Sequence, residues 1–213
     1  MYIQKACGYV LPYGKLSPVS KSLPALPGVN GSYHKRWPAF LVVQKSAVPS
    51  WIQWTHHSEG KTHCDECLKL DGCWFLEGKS PTWPHHPFCH CTLEPIDYAV
   101  VLMDATTYSE YSKFDSYLFD PDNVYKHGKN RAFESWGYTV ADARWLQAEI
   151  EKQALEKYIA GDYTLGKLNK YGQRINIKVT IQRKGGTSEV SFTTGWMVKP
   201  NGKLKLNTPY GGK

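Results

Sequence analysis

The chain has 213 residues, with 26 Lys+Arg against 19 Asp+Glu for a formal net charge of +7. At 41% hydrophobic, 21% charged and 14% aromatic it has the composition of a folded protein, which excludes global disorder, collagen and coiled coil. No apolar run approaches the ~20 residues that a membrane span requires, so no membrane insertion is expected.

Residues 1 to 48 are rich in Pro, Gly and Ser, carry Pro-x-x-Pro at Pro24 to Pro27, and show neither helical nor strand periodicity. An extended N-terminal arm is expected there. Gly8, Pro12, Pro18 and Pro24 also interrupt any continuous apolar segment of the kind a secretory signal needs. Residues 49 to 97 change character, because the stretch from Trp51 to Pro95 holds five of the six cysteines, six of the eight histidines and four of the eight tryptophans. They are expected to form a small module of their own.

From residue 98 the pattern becomes regular. The apolar run Tyr98 to Met103 suits a strand or a linker. Asp120-Pro121-Asp122-Asn123 reads as a helix start, with Val124, Gly128, Ala132 and Trp136 following at spacings of four and Gly137 placed to cap the end. Thr139 with Asp142 resembles a capping box. Ala143, Leu146, Ile150, Ala154, Leu155 and Tyr158 then keep helical spacing up to Gly161. Arg174 to Gln182 alternates strictly between apolar and polar residues, which predicts a half-buried antiparallel strand. Turns at Lys184-Gly185-Gly186 and Pro200-Asn201-Gly202 separate two further strands, one running through Val190, Phe192 and Trp196 and the other through Leu204 and Leu206. The fold class is therefore α+β: a small zinc-binding Cys/His module followed, over residues 98 to 213, by two helices packed on an antiparallel sheet.

Cys64-x-x-Cys67 is answered by His86-Pro87-Phe88-Cys89-His90-Cys91. Two short-spaced ligand pairs joined by a loop are how a small chain supplies four donors to a tetrahedral zinc ion. Cys64, Cys67, His86, Cys89 and Cys91 are five candidates for four places, and with this many thiolates the closed, structural form of the site is expected rather than a catalytic one. A disulfide between the pairs is the alternative. Cys73, His56, His57, His63, His85 and His90 read as packing or surface residues, and Cys7 as a lone thiol.

The runs Thr62 to Gly72 and Pro84 to Pro95 resemble the C-terminal end of Mu F type phage head morphogenesis (minor capsid) proteins, with His90 where those usually carry Arg. The resemblance implies phage capsid proteins as partners. Residues from about Phe119 onward, through His127-Gly128-Lys129-Asn130-Arg131, Tyr171-Gly172-Gln173-Arg174, Thr194 to Val198 and Leu206 to Tyr210, resemble small toxin-like domains of the barnase, EndoU, colicin and RelE group. That resemblance implies a metal-independent RNase that pairs helices with an antiparallel sheet, has RNA as substrate, transfer RNA among the candidates, and meets an immunity protein.

Charge is concentrated to match. Residues 162 to 213 carry 10 Lys+Arg against 2 Asp+Glu, a local +8 of the kind that suits a polyanion. Cutting RNA without metal needs a base for the 2′-hydroxyl, cations for the phosphorane and an acid for the leaving oxygen. His127 is the sole histidine after the cysteine module, and an ordinary imidazole titrates at ~6.5, near neutrality. The expected catalytic set is His127 as base or acid, Arg131 and Lys205 on phosphate, and Thr193 and Thr208 as hydrogen-bonding groups. Trp196 and Tyr210 are either base-stacking platforms or core. Two non-catalytic readings compete: a zinc-stabilised virion-associated structural protein, and a nucleic-acid binder that does not cleave.

Overall fold

The alternating residues of the C-terminal half form the scaffold on which everything else rests. In the computed structural model, which describes residues 48–57, 64–120, 122 and 128–211, strands β1 (Trp51–Thr55), β2 (Trp74–Leu76) and β3 (Thr92–Ile96) form a three-stranded antiparallel sheet in the order β2-β1-β3. Helix α1 (Asp65–Leu70) lies between β1 and β2 in the chain, and α2 (Tyr98–Asp104) follows β3. A second sheet takes β4 (Thr106–Tyr108), β5 (Thr164–Asn169), β6 (Gly172–Gln182), β7 (Glu189–Lys199) and β8 (Lys203–Thr208) in the order β4-β8-β7-β6-β5. All its pairs are antiparallel except β4 with β8, which run parallel. Helices α3 (Lys129–Ser135) and α4 (Ala143–Ile159) stand between β4 and β5 in the chain. The class is α+β, as the sequence pattern implies.

One face of the large sheet is apolar because its alternation is strict. Ile175, Ile177, Val179 and Ile181 of β6 are buried, as are Phe192, Trp196 and Val198 of β7 and Leu204 and Leu206 of β8. They share a core with Leu146, Ile150, Ala154 and Tyr158, the apolar stripe of α4. The opposite face of the sheet carries Arg174, Lys178, Lys199, Lys203 and Lys205 at the intervening positions. Trp196 belongs to the core: it is fully buried, and its indole Nε1–H donates to Thr194 Oγ1 at 2.8 Å.

The cysteine-rich segment and the α+β part share that core. Tyr158 donates its hydroxyl to the Trp74 carbonyl at 2.7 Å while packing edge-on against Trp51, and Tyr163 accepts from the Leu76 amide at 2.9 Å. Cys73 pairs by a β-bridge with Pro200. Residues Lys45–Lys213 thus form one compact unit.

Three local expectations need correcting. The run from Tyr98 is a helix, α2, because Asp97 caps it by accepting from the Ala99 amide at 2.8 Å. Gly128 is not inside a helix: with φ of 63° it stands in left-handed conformation at the entry to α3, which begins at Lys129. The start expected for that helix, Pro121 and Asn123 to His127, lies outside the described residues. The large sheet also holds more than the three strands marked in the sequence, with β4 on the β8 edge and β5 on the β6 edge. The Thr139–Asp142 capping box does form and leads through a short 3₁₀ turn into α4. Of the expected extended arm, residues 1 to 48, all but Val48 lie outside the described residues, and Cys7 with them.

Candidate metal centre and phosphate-binding cleft

Helix α1 presents Cys64 at its N-cap and Cys67 one turn on, while the loop entering β3 brings His86, Cys89 and Cys91 to them. Cys67 is common to two triads, Cys64–Cys67–His86 and Cys67–Cys89–Cys91, within each of which all donor atoms lie within 4.8 Å of one another. Its Sγ is 3.8 Å from Cys89 Sγ and 3.4 Å from His86 Nε2. A tetrahedron built on Zn–S bonds of ~2.3 Å has S···S edges of about 3.8 Å, so the donors sit where an ion would need them. The five cysteines among the described residues are free thiols, which removes the disulfide alternative for Cys64, Cys67, Cys89 and Cys91.

The chemistry of the donor set agrees. His86 Nδ1–H donates to the Pro87 carbonyl at 2.8 Å, which leaves the Nε2 lone pair facing Cys67 and fixes the ring. Burial and then the neighbouring thiols of Cys91, Cys89 and Cys64 push the Cys67 thiol far up. Burial also tends to raise Cys89, but hydrogen bonds from the Cys91 and His85 amides and from the Cys91 and Cys67 thiols bring it down to about 7. So many thiols in one place ionise together only around a cation.

The remaining candidates divide as the sequence suggests, with one exception. Cys73 is buried with its Sγ toward the Lys69 and Val198 carbonyls, and burial pushes its thiol up to about 12, which makes it inert packing. His85 pairs with Glu66 at 2.6 Å, and His57 meets Thr92 Oγ1 at 2.8 Å. His56, however, brings Nδ1 within 3.9 Å of Cys91 Sγ and so borders the cluster. His63 lies outside the described residues.

A second site lies at the end of the large sheet. A cavity of about 380 Å³ is lined by Tyr117, Lys129, Arg174, Asn207, Thr208 and the terminal turn at Tyr210. Lys129, at the start of α3, reaches Thr208 Oγ1 at 3.0 Å and the Tyr117 hydroxyl at 3.3 Å. Arg174 comes from β6, two strands away. It gets there because a register shift between Gly195 and Trp196 sets Thr208 opposite Gly195, and glycine leaves the way open. A Cβ on residue 195 would stand 3.2 Å from Arg174 Nη2 and 3.0 Å from Thr208 Cγ2. Arg174 Nε is buried and has no hydrogen-bond partner among the described residues. Tyr210 is packed against Phe133, Trp136 and Phe192, so its ring anchors the rim and is not a free stacking surface.

Of the expected catalytic set, Thr208 alone among the described residues lines this cleft. Arg131 is exposed on α3 two residues beyond Lys129, and such positions face different sides of a helix. Lys205 is paired with Glu110 at 2.9 Å in an adjoining cavity. Thr193 is half-buried on β7, and its carbonyl accepts from the Gly211 amide at 2.7 Å. His127 lies outside the described residues. Lys129 and Arg174 were missed by reasoning from the sequence, although Lys129 is two residues from His127 and Arg174 is the first polar residue of the alternating strand.

The sequence profile of the Domain of unknown function (DUF6883) matches residues 105–213, which is 109 of the 213 residues. The chain belongs to the DUF6883 family. No curated protein and no solved structure gives a match. The DUF6883 region starts where β4 does and contains every cleft residue, from Tyr117 to Tyr210, whereas Cys64, Cys67, His86, Cys89 and Cys91 all precede it.

Proposed function

We propose that this DUF6883 protein is a phage- or prophage-associated toxin that cuts RNA without a catalytic metal, and that zinc at the Cys/His centre has a structural role only. One observation carries the reading: Lys129 and Arg174, from separate elements, converge with the Thr208 hydroxyl on one open cleft. A phosphodiester there would meet a fork of guanidinium donors, an ammonium and a neutral hydroxyl, the set needed to hold it and to stabilise charge developing on its oxygens. His127, two residues before Lys129 in the chain, supplies the proton transfer in this reading. The phage association is supported by the likeness of the Cys/His runs to Mu F type proteins, and transfer RNA and an immunity protein follow from the toxin-like resemblance. Zinc is supported by the thiolate and imidazole donors and the 3.8 Å sulfur spacing.

The test uses purified chain with its metal content verified, and total RNA in buffer free of magnesium. Wild type should cleave, His127→Ala and Arg174→Ala should lose at least ~100-fold in rate, and a 2′-deoxy substitution at the cut site should block scission. Intact RNA, or equal cleavage by wild type and His127→Ala, removes the nuclease reading. The shared core of the cysteine-rich segment and the sheet favours a second reading, a metal-pinned structural protein associated with phage capsid proteins. It predicts co-sedimentation with capsids and no growth arrest on expression.

A further inference from the structure

The cleft does not end at Thr208. Asn207 also lines a second cavity of about 280 Å³ on the outer face of the sheet, together with Tyr171, Met197, Lys199 and Lys205. Arg174, Met197 and Lys205 are register partners across β6, β7 and β8, so the two sites are joined by one row of side chains. Two strand spacings, roughly 10 Å, separate the ends of that row.

We infer that this second cavity is a base-stacking subsite for single-stranded RNA, in which Tyr171 carries an unpaired base and Lys199 and Lys205 hold the phosphate beside it. The inference rests on the reading of the Lys129–Arg174 cleft as a phosphodiester site. Tyr171 is 62% exposed at the tip of the β5–β6 turn. Its amide donates to Asn169 Oδ1 at 2.9 Å, its carbonyl accepts from Lys199 Nζ at 3.0 Å, and the Lys170 ammonium stands 5.1 Å from its ring centre. The backbone is thus pinned while the ring projects into a cationic surround, the arrangement by which proteins stack bases without reading their sequence. Met197, 5% exposed, closes the floor with an apolar, polarizable surface.

An acidic group stands against one of the lining lysines. Glu110 pairs with Lys205 at 2.9 Å, and hydrogen bonding to Lys205, with the charges of Lys205 and Lys113, holds its carboxyl below the usual range. Its carboxylate therefore occupies the place on Lys205 that a phosphate would take, and RNA must displace it.

The test is binding of a 2′-O-methyl hexanucleotide, which resists cleavage, beside a 2′-O-methyl dinucleotide that fills only the cleft. Tyr171→Ala should weaken the hexamer about tenfold and leave the dinucleotide unchanged. Glu110→Gln should tighten the hexamer several-fold and steepen its log affinity against log salt by ~0.7, one single-strand phosphate contact. A hexamer that binds wild type and Tyr171→Ala equally, an abasic hexamer that binds as well as the normal one, or duplex RNA that binds as well as the single strand each overturns the stacking subsite. An acidic peptide that competes with the hexamer in a Lys199-dependent but Tyr171-independent way does so as well, and marks the face as a protein-docking surface. Failure of the cleft reading looks different: Arg174→Ala would leave dinucleotide affinity at the wild-type value while the Tyr171 dependence of the hexamer persisted.

Discussion

The cysteine-rich segment and the large sheet reach order by opposite routes. In the first, the elements are short, with six residues in α1 and three in β2, and its centre is a crowd of polar donors held close together. In the second, strands of eleven residues bury a mostly apolar face that includes Thr194, and charge is left to the other side. The lesson is that a metal site can be written in local spacing, whereas a site on a sheet is assembled by register. Cys64 and Cys67, or Cys89 and Cys91, declare themselves as neighbours. Lys129 and Arg174 are 45 positions apart and meet only because β6, β7 and β8 align as they do.

Removing the donor common to both triads tests the first half of that contrast most severely. On the reading that these donors hold zinc, Cys67→Ser should release the ion, and because structural zinc binding is worth ~10 kcal/mol or more in small domains, most of the segment's order should go with it. Metal analysis together with thermal unfolding reads the outcome. If the ion is lost and the unfolding midpoint stays put, the apolar contacts of Trp51, Trp54 and Phe75 are sufficient and the donors are not what orders this region. Ile150→Ala, in the core shared by α4 and the sheet, should cost about 2–5 kcal/mol by leaving a cavity, and should lower the denaturant midpoint without releasing metal. Metal loss in that variant would mean the two regions are less distinct than their construction implies.

The contact between the regions gives a smaller effect. Tyr158→Phe strips the hydroxyl that donates to the Trp74 carbonyl and leaves that buried acceptor unpaired, at about 1–3 kcal/mol. Gly195→Ala tests the register argument. The added methyl crowds Arg174 Nη2 and Thr208 Cγ2, both at the ends of side chains that can give way, so stability should change by under about 1.5 kcal/mol while RNA affinity falls. Unchanged affinity in Gly195→Ala would show that Arg174 does not need to cross β7 there.

How much was legible follows the same division. Periodicity alone marks α4 and β6, since Ala143 to Tyr158 and Arg174 to Gln182 run long enough to average out local exceptions. Paired spacing marks the five candidate metal donors. The run from Tyr98 reads as a strand or a linker because six successive apolar residues carry no helical period, and the capping carboxylate of Asp97, which makes it a helix, lies outside that run. β4 has three residues and pairs in parallel with a strand about 100 positions later, which no local pattern encodes. The cleft failed for the same reason: Arg131 and Lys205 are basic and near the right elements, but helix phase turns one away and Glu110 engages the other.

The mildest expected effect concerns the capping box that the sequence did reveal. The Asp142 carboxylate accepts from the Thr139 amide at 2.9 Å and pairs with Lys184 at 2.6 Å, and these contacts, the Lys184 hydrogen bond first, hold its carboxyl below the usual range. A carboxyl depressed by folding contributes stability that is present above its unfolded value of ~3.9 and is lost as pH falls through the lower folded value. Asp142→Asn should therefore cost about 0.5–1 kcal/mol at neutral pH, and the gap between variant and wild type should close in acid. Lys184 ties this cap to the turn after β6, whose amide in turn donates to the Trp136 carbonyl, so the loss should be confined to the start of α4 and that turn. Hydrogen exchange localises it there; protection lost equally across β6 and β7 would mean that the cap instead supports the sheet as a whole.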